Sequence, residues 1–395
     1  MNIKDRAKAI EPTLIAIRRH FHMYPEVSYQ EFETSKKIVE ILQKLGIKVI
    51  DAGLETGVIG LLETGRPGPT IALRGDIDAL PVQEMNDTEY KSKIPGVSHA
   101  CGHEVHTTAV LGAAMILAEL KEQLCGNIKF LFQPLEERNQ GALRLIEAGA
   151  LENPRVDAIF GLHNQPDIPA GFMGIKKKSA LMAAVDRIKI NVNGVTAHGS
   201  LPHRAIDTIV IAAHIVTALQ TIVSRTVSPQ EPAVVSICQF HAGNAYNVIP
   251  DKVELVGTVR TFSPEVRNTM PSLLDRIAQG IAASMGGSAA IEYYEECPLV
   301  ISTDEFADIA LKAAQSICGP NGTVDPVPST GGEDFAWYLE KVPGCFMWLG
   351  VGNKEQGIVY PWHSPRFDVD ESAIAIGAAV LAQCVIDSLN YVKQE

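Results

Sequence analysis

Four potential metal ligands, His99, Cys101, His103 and His106, crowd the stretch SHACGHEVHTT. Thiolate and imidazole are the usual ligands of borderline transition ions. Gly102 lets the backbone bend sharply, so Cys101 and His103 can face one point. Cys101 could also act as a thiol nucleophile. A histidine two residues away on a short loop is poorly placed to be its base. A second kind of chemistry is offered by Glu136 and Glu137, at the end of NIKFLFQPLEE. Adjacent carboxylates after an apolar run are costly unless a positive charge lies near, and a metal ion supplies one. One can then ligate while its neighbour takes a proton from water, the pairing a metallohydrolase needs. Asp76 and Asp78 follow TIALRG, two apart and so facing the same way. His163 closes VDAIFGLH, and His363 lies in the Pro-bounded PWHSP. Each segment alone has a plainer reading as a polar turn, an exposed glutamate pair or an ordinary histidine. Their convergence on the strand ends and adjacent loops of one predicted sheet is the stronger signal.

His198, in GVTAHGSLPHRA, stands apart from these segments. It is either a loop histidine or one that reaches the main site across a cleft or a dimer. Asn247 and Arg260 share its region, and arginine suits a substrate carboxylate through paired donors. Gly331 and Gly332 would let backbone amides approach a ligand closely. Glu333 and Asp334 read as charges at a helix N-terminus, with no catalytic role.

These residues need a scaffold, and the hydrophobic pattern predicts one. Residues 3–45 are helical in pattern, broken near Pro25. Strand-like runs follow at IKVI, GVIGLLE, TIALRGD, NIKFLFQ and DAIFGLH, with helical stretches HTTAVLGAAMILAELKE and GALRLIEAGAL between the later ones. Apolar strands alternating with helices predict a buried α/β sheet, whose carboxyl ends bind ligands. The pattern changes near residue 183. Strand, helix, two strands, helix and strand then follow in the βαββαβ order of a ferredoxin-like fold, with open sheet edges that suit dimerisation. Later residues return to the first style, with a strand at CFMWLGV and a last helix from Glu371. The expectation is a discontinuous catalytic domain, residues 1–182 and 297–395, interrupted by an inserted domain at 183–296.

Composition narrows the function. The chain has 395 residues, is 46% hydrophobic and carries a net charge of −12. An acidic chain has no general attraction for nucleic acid or anionic lipid. Lys176–Lys178 is the basic run, and it reads as a solvated patch. No apolar stretch long enough to span a bilayer and no signal peptide is expected. Seven scattered cysteines argue for a reducing, cytoplasmic setting.

Several motifs in one order then carry a resemblance: HFHMYPEVSYQE, RGDIDALP, HACGHEVHT, FQPLEE, GLHNQP, GVTAHGSLPH, NVIPD, GGEDF and WHSPRF. The chain resembles the aminoacylase, hippurate hydrolase and indoleacetyl-amino-acid hydrolase branch of the dinuclear metallopeptidase superfamily. The resemblance implies a mixed-sheet catalytic domain with an inserted dimerisation domain, in a homodimer or homotetramer. It implies two divalent ions, zinc or manganese, with cobalt or nickel as replacements in vitro. Cys101, His103, Glu137, His163 and His363 would be the ligands and Glu136 the general base. The superfamily has His-x-Asp where this chain has Asp76-Ile77-Asp78, so Cys101 would replace the lost ligand and Asp78 would support the site from behind. His198 is similar to a histidine that stabilises the oxyanion, and Asn247, Arg260 and Gly332 to positions holding the substrate's carboxylate side. The implied substrate is a small N-acyl-L-amino acid, and a dipeptidase or carboxypeptidase activity of the same dinuclear site is the alternative. Glu104 and Val105 depart from the branch's usual Asp and Gly, and Leu135 from its usual Ala, without removing a ligand or the base.

Overall fold

The structure, a computed structural model, describes residues 2–392. The chain forms two compact units. The second is Met182–Val300 with the short segment Pro328–Gly332, and the first holds the rest of the described chain.

The first unit is a mixed sheet covered by helices. Its strands are β1 (Lys48–Ile50), β2 (Val58–Glu63), β3 (Thr70–Asp76), β4 (Asn127–Gln133), β5 (Ala158–Pro169) and β6 (Met173–Ile175). The sheet order is β1-β2-β4-β3-β5, followed by β14 (Gly344–Gly352), β6 and β13 (Thr323–Val324). β3, β4, β5 and β14 run parallel. Every residue of β3 and β14 is buried, as continuous apolar runs covered on both faces should be. The helices are α1 (Ile3–Met23), α2 (Phe32–Lys44), α3 (His103–Glu119), α4 (Gly141–Glu147), α7 (Asp304–Cys318), α8 (Ala336–Leu339) and α9 (Ser372–Val392). The Asn2 side chain caps α1 by accepting from Asp5 N. α3 and α9 are apolar on nearly every side and cross through small residues. A Cβ on Gly112 would lie 2.7 Å from that of Ala378, so the helices need glycine there.

Two helical runs, Thr208–Thr226 and Ser372–Val392, are long and apolar enough to cross a membrane by length and composition. The second is mostly buried, as a helix in the core of a packed fold is. Scattered polar residues hide both runs from a reading that seeks unbroken apolar sequence.

The second unit is an antiparallel sheet with two helices: β7 (Ala184–Asn193), α5 (Thr208–Thr221), β9 (Ala233–Ala242), β11 (Lys252–Thr261), α6 (Pro264–Ser284) and β12 (Ser288–Cys297). A small hairpin pairs β8 (Ala197–His198) with β10 (Val248–Ile249). The four-stranded order is β12-β7-β11-β9, which is the ferredoxin-like topology the sequence predicts. Alternate residues of β11 are buried, against α5 and α6. Asp207 caps α5, while Ser263 caps α6 with Pro264 in its first turn. The buried Asp186 is matched by Arg267 and the Tyr293 hydroxyl.

A buried ionic cluster and a buried carboxyl hydrogen bond fix the first unit around its sheet ends. Arg18 of α1 is fully buried and meets Glu104 at 3.0 Å, Asp368 at 3.2 Å and Glu371 at 3.4 Å. His22 adds a 2.7 Å bond to Glu104. This ties α1 to the first turn of α3 and to the segment before α9. Glu31, just ahead of α2, accepts from the backbone N–H of Leu135 at 3.1 Å. Burial, with Asp78 adding to it, pushes Glu31 up to about 7.

Removing one partner of a buried ionic cluster strands the rest. Arg18→Met should therefore lower unfolding stability by roughly 3–5 kcal/mol in denaturant titration, and a loss below about 1 kcal/mol would contradict the clustering. Glu31 carries the opposite pH signature to a salt-bridged acid. Its folded pKa of about 7 exceeds the ordinary 4.5. Its contribution is then complete below the ordinary value and is lost as pH rises through about 7. In metal-free protein, the melting temperature of Glu31→Gln relative to wild type should climb between about pH 5 and pH 8. A flat difference would show that Glu31 ionises normally.

Candidate metal centre

The centre starts from one left-handed glycine. Gly102 has φ of +82° and starts α3, so His103 is its first helical residue. The helix begins earlier than HTTAVL suggests, and His103 and His106 lie one turn apart on it. They have different tasks. His106 donates from Nδ1 to Asp76 at 2.6 Å, and its Nε2 accepts from Asn164 N and Nδ2, both at 2.8 Å. Both its nitrogens are used. His103 donates from Nδ1 to Asp78 at 3.2 Å, which leaves Nε2 buried without a hydrogen-bond partner. That nitrogen lies 3.7 Å from Glu136 and 3.8 Å from Glu137.

The strands bring the other donors. β3 and β4 are in parallel register with Asp76 beside Gln133, so both acidic segments leave the sheet together. Leu135 takes a left-handed φ of +60°, a strained conformation held by its bond to Glu31. Asp78 then accepts from the backbone N–H groups of Glu136 and Glu137, each at 3.1 Å, and from Ser28 at 2.7 Å. His163 lies within β5 instead of at its end, because the strand continues pairing with β14 as far as Pro169. Its Nδ1 donates to Asn164 O at 2.7 Å, and its Nε2 sits 3.5 Å from Cys101 Sγ. His363 is also left-handed, φ +63°, and its N–H donates to Ala100 O at 2.8 Å. Its Nε2 comes within 3.7 Å of Glu137.

Cys101, His103 and His163 form one group of donor atoms, all within 4.8 Å of one another, and Cys101, Glu137 and His363 form a second. Cys101 is common to both. The donors fit cations by two tests. The buried His103 Nε2 and Glu137 Oε1 have no hydrogen-bond partner. Burial also pushes the Cys101 thiol and the Glu136 and Glu137 carboxyls upward, with Glu333 adding to the shift at Glu136. Only a nearby positive charge lets such a set ionise together. The mixed sulfur, nitrogen and oxygen donors make a dinuclear divalent-metal site.

Behind it lies a network that the sequence does not announce. Arg74 of β3 is fully buried and binds Asp76 at 2.8 Å, Asp334 at 2.8 Å and Glu333 at 2.9 Å. Burial opposes the charge on Asp76, but Arg74 and the two histidines outweigh it and hold Asp76 well below the usual range. Asp76 also belongs to a donor group with His103 and His106, yet Arg74 and His106 already occupy its oxygens. Glu333 and Asp334 do accept from backbone N–H groups at helix starts, those of Phe335 and Ala142. They are nevertheless buried partners of Arg74, not surface charges. The available signal was Arg74 itself, a cation inside a run predicted to be buried.

In the second unit, His198 is exposed on β8, and its Nδ1 accepts from Ser200 N at 3.2 Å and Oγ at 2.8 Å. Asn247 is close by, accepting from Gly199 N at 2.8 Å. Arg260 donates to Thr330 O at 3.2 Å, within the segment that carries Gly332.

Comparison with known proteins agrees with this arrangement. Residues 72–387 match the family described as peptidase family M20/M25/M40. The N-acetylcysteine deacetylase of Bacillus subtilis (strain 168) is 42% identical over 387 residues, covering 98% of this chain and 99% of that protein. Thermostable carboxypeptidase 2 of Saccharolobus solfataricus is 40% identical over 392 residues, 98% of each chain. The Bacillus subtilis YXEP protein, a dinuclear metal binding peptidase, superposes with a TM-score of 0.86 at 40% identity, covering 97% of this chain and 99% of that one. With a shared fold, a two-part donor set and this breadth of similarity, the chain belongs to peptidase family M20/M25/M40 and is a metal-dependent hydrolase.

Proposed function

We propose that the chain hydrolyses N-acyl-L-amino acids to a carboxylate and a free amino acid. The observation that carries this reading is the placement of Glu136 beside Glu137, both facing His103 Nε2. Cys101, His103, Glu137, His163 and His363 are the proposed ligands of two divalent ions, zinc or manganese. When bound, these supply Lewis acidity, which acidifies water and polarises the amide carbonyl. Glu136 takes the proton of the attacking water and returns it to the leaving nitrogen. Asp78 keeps that base and its neighbouring ligand in place by holding both backbone N–H groups and the His103 ring. His198 is the proposed oxyanion donor. With Nδ1 accepting from Ser200, its Nε2 carries the proton and can donate. Asn247, Arg260 and Gly332 take the carboxylate side of the substrate.

Similarity to a deacetylase of an N-acylated amino acid supports this substrate class. Similarity to a carboxypeptidase supports a second reading, peptide hydrolysis with the same residues. A cytoplasmic setting is supported by seven cysteines that are all unpaired. Cell fractionation that recovers the protein outside the cytoplasm would remove it.

We also propose a homodimer through the open edge of the inserted sheet. β9 has a strand neighbour on one side only and exposes Val234 and Phe240. α5 exposes Ile209 and Val210 in the same unit.

A panel of N-acyl amino acids and dipeptides, run with and without chelator, tests the activity. Chelation should abolish turnover, whereas a Cys101 nucleophile would survive it. Glu136→Ala should keep its metal and lose about 100- to 10,000-fold in kcat. Near-wild-type turnover with full metal content would remove Glu136 as the base. His198→Ala should fall by about 100- to 1,000-fold. Preferential cleavage of dipeptides would favour the peptidase reading. Sedimentation should give a dimer that Phe240→Glu converts to monomer, and a monomeric wild type would refute the interface.

A further inference from the structure

Asn164 follows His163 in β5 and is fully buried. Its side-chain amide meets three groups at once. Nδ2 donates to the Cys101 carbonyl at 2.6 Å and to His106 Nε2 at 2.8 Å. Oδ1 accepts from the Trp362 indole at 3.2 Å, one residue before His363. Its backbone carbonyl takes the His163 Nδ1 proton at 2.7 Å and a second bond from Trp362 at 3.0 Å. Segments bearing Cys101, His163 and His363 thus meet at one residue.

The orientation of the amide is forced. His106 gives its Nδ1 proton to Asp76, so its Nε2 can only accept. The Cys101 carbonyl can only accept as well. Both must therefore face the amide nitrogen, which has two protons to give. The oxygen is left for Trp362, a donor. Gly102 makes room for this amide. A Cβ there would lie 2.5 Å from Asn164 Nδ2, and the φ of +82° also disfavours a side chain.

We propose that the Asn164 side chain is a positioning residue that sets the place of Cys101 between the two donor groups, and through it the metal affinity of the site. Glycine at 102 and asparagine at 164 then form one device, in which a missing side chain on the ligand loop is filled by an amide from the sheet. Aspartate cannot substitute, because it would set a carboxylate against a carbonyl oxygen and an imidazole lone pair. This rests on the ligand assignment given above for Cys101 and His163.

The test uses the full-length chain and needs no substrate. Wild type, Asn164→Ala and Asn164→Asp are titrated with Zn2+ against a chromophoric chelator and, separately, with Co2+ in the near ultraviolet. Wild type should show a thiolate-to-cobalt charge-transfer band. Both variants should bind Zn2+ about 10- to 100-fold more weakly and show a shifted or weakened band, the range usual for residues supporting metal ligands. If alanine at this position prevents folding, the aspartate variant has the same size and carries the same expectation. Zn2+ affinity within about twofold of wild type and an unchanged band in the folded variant would overturn the proposal, making Asn164 a packing residue. A wild type without any thiolate band would instead overturn the ligand assignment and, with it, this proposal. The two failures are therefore distinguishable, and neither depends on which amide the enzyme cleaves.

Discussion

Arg74 carries a fixed positive charge at the buried carboxyl end of β3, and the acids around it depend on that charge. Asp76, Glu333 and Asp334 all bind it directly. Each is fully enclosed, where an unpaired carboxylate would be expensive. Burial still raises Glu333 to about 7, with Asp76 and Asp334 adding to it, and Asp334 to about 6, with Asp78 adding to it, although Arg74 opposes both shifts. The surplus negative charge lies next to Glu136, whose donor atom groups with those of Glu333 and Asp334. A carboxyl in that position is reluctant to lose its proton unless further cations are present. The base and the metal ligands are thus linked through a charge balance that begins behind the site.

Backbone strain complements this electrostatic arrangement. Leu135 and His363 both hold left-handed conformations without being glycine. Each is fixed by a backbone N–H bond, to Glu31 and to Ala100 respectively. Such conformations persist where surroundings over-determine them, and here they aim Glu136, Glu137 and His363 at a common region.

The scaffold was legible in sequence because its signals are local. TIALRGD and NIKFLFQ are buried strands, and the alternating KVELVGTVRT is a half-buried one. The segments bearing Cys101, His103, Glu137, His163 and His363 also stood out in sequence as possible donors, and the fold brings their donor atoms together, although His163 sits inside β5 and not at its end. What escaped was non-local or chemically mute. Arg74 and Glu333 are 259 residues apart, and no local pattern pairs them. Asn164 resembles any polar residue after an apolar run, and its importance lies in two protons that only the fold can direct. Glu104 looked like a departure in the ligand loop. Its meaning comes from Arg18 and His22, which reach it from α1.

The sheet order has a consequence for how this protein is made. β14 lies between β5 and β6, although the chain forms β6 directly after β5. A ribosome emitting this sequence releases β5 and β6 long before the strand that joins them. The strands of Met182–Val300, by contrast, find their partners within a single contiguous stretch. The insert can therefore settle while the catalytic sheet still has a vacant lane, and the nascent chain must keep that lane from being filled by a strand of another molecule.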